Sequence, residues 1–103
     1  MAEYATKNSN GVVNMATGSF TGAGAAVEVD LGFTPRYIKI IDEDNVITWE
    51  KLTGLAAANS VKTVTAGTTT VDTGSAITID DGGFSVSATL AASSANIVWV
   101  AFD

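Results

Sequence analysis

The chain has 103 residues, with 11 acidic and 5 basic side chains, one proline, and neither cysteine nor histidine. This is the length of one small domain, and neither a disulfide nor a zinc cluster can supplement its core. Without cysteine or histidine, nucleophilic triads, imidazole bases and most transition-metal sites are excluded. A net charge of −6 argues against nucleic acid as partner, because clustered Lys and Arg would have to hold its phosphates.

Residues 1–24 mix Asn, Gly, Ser, Thr and Ala with few large apolar side chains, namely Tyr4, Val12, Val13, Met15 and Phe20. Such a weakly periodic stretch reads as a flexible N-terminal arm or edge segment that orders against a neighbouring subunit. It contains no apolar run of signal-peptide length, and no apolar stretch of membrane-spanning length follows. Synthesis in a cytoplasm and no membrane partner are therefore expected.

Residues 25–103 read as a single β domain. Val, Ile and Thr supply 32 of the 103 residues and Leu only 4, and β-branched side chains pack better on a pleated surface than on a helix. Alternation predicts a strand over 27–31, where Val27, Val29 and Leu31 share a face opposite Glu28 and Asp30. Further strands are predicted over 36–41, 46–52 and 76–80, with Ile38 and Ile40, Ile47 and Trp49, and Ile77 and Ile79 as their one-sided apolar pairs. The Thr-rich stretch 63–73 is expected to form paired, weakly apolar strands, and 52–60 at most a short helical turn. Residues 96–102 are apolar on both faces, Val98, Val100 and Phe102 against Ile97, Trp99 and Ala101. That strand is either central in a sandwich or covered on its outer face by another chain. Turn residues at 32–35, 42–45, 66–67, 73–75 and 80–83 separate these runs at the spacing of a small antiparallel β-sandwich or jelly-roll-like barrel.

Several strings invite a chemical reading. Asp72-Thr73-Gly74 matches the turn of aspartic proteases, in which two carboxylates share a proton. Only 29 residues follow Gly74, Thr68-Thr69-Thr70 replaces the apolar strand that would bury the aspartate, and Ile97-Val98 runs into Trp99 where those enzymes carry glycine. Asp72 is instead expected to cap local backbone N–H groups in a turn. Asp42-Glu43-Asp44-Asn45 opens like a calcium loop, but an EF-hand would need Gly and Glu where Ile47 and Thr53 stand. A hairpin connection is the simpler expectation. Gly22-Ala23-Gly24 lacks both the third glycine and a following helix to hold a pyrophosphate. Lys7, Arg36, Lys39, Lys51 and Lys62 are scattered and form no basic patch. Trp49, Trp99, Tyr37 and Phe102 suit either a sandwich core or a sugar-stacking face. No catalytic, cofactor-binding or metal-ligating residues are assigned. The candidate interface residues are Tyr4, Val12, Val13 and Phe20 of the arm, with Trp99 of the two-faced strand.

Gly32-Phe33-Thr34-Pro35-Arg36-Tyr37-Ile38-Lys39-Ile40, then Trp49, a later Gly83-Phe84-Ser85-Val86 and the closing Ile97-Val98-Trp99-Val100-Ala101-Phe102 together resemble a pattern in small virion proteins of tailed bacteriophages. The resemblance covers residues 31–103. It implies an all-β, non-enzymatic capsid decoration or cement protein on the virion surface. Its partner would be the major capsid protein, and it would act as a homo-oligomer, with a trimer favoured. The same resemblance also admits a binding module of a tail or fibre that contacts a host receptor or glycan.

Overall fold

Alternating β-branched residues form nine strands in the computed structural model, which describes residues 14–103. In chain order they are β1 (Met15–Thr21), β2 (Val27–Asp30), β3 (Tyr37–Asp42), β4 (Ile47–Leu52), β5 (Ser60–Thr63), β6 (Thr69–Asp72), β7 (Ile77–Asp80), β8 (Gly83–Val86) and β9 (Asn96–Phe102). One sheet has the order β1-β9-β3-β4-β5-β6 and the other β2-β8-β7, with every pairing antiparallel. Both sheets are open. The fold is a β-sandwich, and the closed-barrel alternative is not realised.

The core lies between the sheets. Ile38, Ile40, Trp49, Ile97 and Ala101 from the larger sheet meet Ile77, Phe84 and Val86 from the smaller one. Full burial of each Ile or Phe contributes roughly 1.5–3 kcal/mol. Leu90, Ala91 and Ala95, from the loop between β8 and β9, close one end of this core. That loop also holds the crossing from β1 to β2. Gly22 N–H donates to Ala95 C=O at 2.8 Å and Gly24 N–H to Ala91 C=O at 2.9 Å. A Cβ at Gly22 would lie 2.0 Å from the Ala92 carbonyl oxygen, so Gly22-Ala23-Gly24 serves close backbone packing.

Three segments differ from expectation or sharpen it. Residues 15–21 form a full edge strand registered along β9, from Met15 opposite Phe102 to Thr21 opposite Asn96. Its inward positions are Ala16, Gly18 and Phe20, small where β9 places a large ring, so the strand carries little apolar signal. Residues 53–59 form turns and no helical segment. The Lys51 ammonium takes the carbonyls of Ala56, Ala57 and Asn59 at 2.8, 3.1 and 2.7 Å, which removes acceptors that a helix would use. The Thr-rich stretch 63–73 supplies β6, but its partner β5 lies earlier, over Ser60–Thr63, and the Thr63 and Thr69 hydroxyls lie 3.1 Å apart across the pair.

Candidate interaction surface

Alternation leaves the second face of the larger sheet pointing away from the core. Register aligns its side chains in rows. One row runs Met15, Phe102, Tyr37, Leu52 across β1, β9, β3 and β4. The next crosses all six strands as Thr17, Val100, Lys39, Glu50, Val61, Val71. A third runs Ser19, Val98, Ile41, Thr48, Thr63, Thr69. Of the six large hydrophobic side chains exposed among the described residues, five lie in these rows: Met15, Ile41, Leu52, Val71 and Val98. Met15 is 60% and Val71 58% exposed. The sixth, Val46, lies in the β3–β4 hairpin loop.

Polar groups brace this surface internally. The Tyr37 hydroxyl donates to Glu50 Oε2 at 2.6 Å, and the Tyr37 ring tilts against Phe102 with centroids 6.0 Å apart. Burial, the hydrogen bond to Glu50 and the charge of Glu50 push the phenol up to about 12. Across the three rows, Lys39 and Glu50 are the only charged residues, and they stand opposite each other on β3 and β4.

The remaining polar clusters are committed to structure. Asp42, 2% exposed, accepts from the backbone N–H groups of Asp44 and Asn45 and from the Asn45 side-chain amide. This is an Asx-turn that closes the β3–β4 hairpin. Asp44 and Glu43 reach Asn96 at the start of β9, at 2.6 and 2.5 Å. Among the described residues no group of three or more carboxylates is placed to hold a metal. Asp72 Oδ1 accepts from Gly74 N–H at 2.8 Å, the local cap expected of it. Its turn follows an edge strand of the larger sheet.

The described surface includes two shallow depressions of note. One, of about 580 Å³, is lined by Thr34, Pro35, Arg36, Thr53 and Asp103. The other, of about 310 Å³, is lined by Lys51, Thr53, Leu55, Ala57, Thr78 and Ile79. Burial lowers the Lys51 pKa from its ordinary value. Its ammonium nevertheless spends its three protons on three backbone carbonyls, so it offers no donor to a ligand in its held geometry.

The sequence-predicted interface residues separate. Tyr4, Val12 and Val13 lie outside the described residues. Phe20 and Trp99 both take inward positions and pack against the core, Trp99 edge-to-face on Phe84 with centroids 5.3 Å apart. The aromatic set divides likewise. Trp49 is buried with the Lys62 amine 4.7 Å from its ring centroid, whereas Tyr37 and Phe102 belong to the outer face, so the four rings make no common sugar-stacking platform. The outer rows were missed as a unit because each strand contributes only two or three residues to them. No described helix is long and apolar enough to cross a membrane. Comparison with protein-family models, curated proteins and solved structures found no match to this chain.

Proposed function

We propose that this domain is a structural virion protein that decorates a bacteriophage capsid and stabilises it by bridging major capsid subunits. The observation that carries this reading is the apolar outer face of the six-stranded sheet, left uncovered by the rest of the described chain. A domain whose polar clusters are spent on turns and loops, and whose largest uncommitted feature is a sheet face, is built for contact. Its work is adhesive. Binding only the assembled shell stabilises the shell by mass action, and many equivalent copies supply avidity from a weak single contact. The net charge of −6 suits the outside of a shell better than its DNA-filled interior.

The test is co-sedimentation of the purified chain with shells assembled from the major capsid protein of the virus that carries it. Binding at a ratio near the number of capsid subunits is expected, together with a raised temperature of shell disruption. A few copies per particle, at one vertex, would transfer the domain to a tail or fibre, and no retention by shells would overturn the reading.

A further inference from the structure

The geometry points to a second copy of this chain as the occupant of the outer face, packed sheet on sheet about a two-fold axis. This rests on the contact-forming reading above and names the partner of that surface. The middle row carries the argument. From the β1 edge it reads Thr17, Val100, Lys39, then Glu50, Val61, Val71. A two-fold axis parallel to the strands, lying over the gap between β3 and β4, superposes each half of this row on the other. Lys39 then faces Glu50 of the second copy, Val100 faces its Val61, and Thr17 faces its Val71. In the adjacent row Tyr37 faces Leu52, and in the other Ile41 faces Thr48. The row is self-complementary in charge at its centre and apolar against apolar at Val100 and Val61 beside it, as an isologous contact requires.

Net charge narrows the choice of face. Two copies each carrying −6 repel one another across most of their surfaces. The outer face holds one lysine and one glutamate, so it is neutral and presents each charge to its opposite. Size is sufficient as well. Two seven-residue, two six-residue and two four-residue strands span roughly 500 Å² before side-chain relief, at about 4.8 Å between strands and about 3.3 Å per residue. That area falls at the lower end of specific interfaces, so a reversible dimer is expected in place of an obligate one. Aligned sheet packing tolerates a rotation of about 30° between the two sheets, and the Lys39–Glu50 contacts lie nearest the axis, where such a rotation displaces them least. The dimer would keep this face from water in the free protein, and its reversibility leaves the face available to a shell.

The decisive experiment is sedimentation of the full chain from micromolar to millimolar concentration, with charge variants. Wild type is expected to be a concentration-dependent dimer. Lys39→Glu and Glu50→Lys are each expected to be folded monomers by circular dichroism, because each face now carries two like charges. Mixing these two variants is expected to restore a heterodimer, since every cross-interface contact is again opposite in sign. Val100→Lys, which leaves the Lys39–Glu50 pair in place, is expected to lose the dimer as well and serves if a charge variant fails to fold. A wild type that stays monomeric or forms a trimer, or variants that dimerise unchanged, would overturn the pairing. Shell binding separates the two claims: a wild-type monomer retained by shells overturns the pairing alone, and a dimer that no shell retains overturns the decoration reading alone.

Discussion

Gly18 of β1 lies directly against the indole of Trp99 on β9: a Cβ at position 18 would come within 2.6 Å of Trp99 Cζ2. The contact couples the edge strand to the core, because the same indole packs edge-to-face on Phe84 of the smaller sheet. Gly18→Ala would by itself gain about 0.5–1 kcal/mol from reduced backbone freedom of the unfolded chain. Displacing a rigid ring from a packed position costs about 1–3 kcal/mol, and the steric cost wins. Denaturant unfolding followed by tryptophan fluorescence is expected to show a net loss of stability. An unchanged or higher midpoint would mean that the indole swings aside freely.

Lys51 is expected to be the lock of the 53–59 loop. Lys51→Met keeps the apolar stem and removes the desolvation cost of the ammonium, but deprives three carbonyls of their donor. The net loss is expected to be about 1–3 kcal/mol, with hydrogen exchange rising first in residues 53–59. Full retention of stability would show that water replaces the amine at no cost.

Val46 has φ of 54° and is 59% exposed. A β-branched residue in the left-handed region is strained, and little packing is lost on replacing a side chain so open to solvent. Val46→Asn is expected to stabilise the domain by about 1 kcal/mol, read as a higher thermal midpoint. A lower midpoint would mean that the valine makes a compensating contact.

The pH dependence at the alkaline end follows from Tyr37. Its phenol is raised from 10.0 to about 12 in the fold, so between these values the folded chain holds a proton that the unfolded chain has lost. Stability contributed by this group is complete below pH 10 and is lost as pH rises through about 12. Lys51, lowered from 10.5, acts oppositely up to its ordinary value, so the range from 10.5 to about 12 isolates the tyrosine. Spectrophotometric titration is expected to show a late phenolate step that Tyr37→Phe removes. A single ordinary step in the wild type would contradict the Glu50 contact.

Asp72→Asn separates turn from catalyst. An amide oxygen can accept the Gly74 N–H in the same way, so stability is expected to fall by no more than about 1 kcal/mol. Neither form is expected to cleave unfolded polypeptide in mildly acidic solution. Cleavage by the wild type that vanishes in the variant would establish a carboxylate chemistry.

Much of the fold was legible because strand formation is local. Alternation at 27–31, 36–41, 46–52, 76–80 and 96–102 located five strands, since successive side chains must point to opposite faces. The composition rules that excluded imidazole and thiol chemistry needed no coordinates, and Asp72 caps its turn because Asp, Thr and Gly have that local geometry in themselves. β1 was legible only as an arm or edge segment, because its inward Ala16, Gly18 and Phe20 make sense only beside Trp99.

Partnership was decided by the tertiary structure. A period of two distinguishes two faces of residues 96–102 but does not say which is covered, because both are apolar. Placing β9 between β1 and β3 turned Ile97, Trp99 and Ala101 inward and left Val98, Val100 and Phe102 outside. Pairing of all six strands brought Thr17, Val100, Lys39, Glu50, Val61 and Val71, one from each, into one row. Such a row is a property of register between distant strands, set by loop crossings and by which side chains fill the space between two sheets. No window along the sequence contains it.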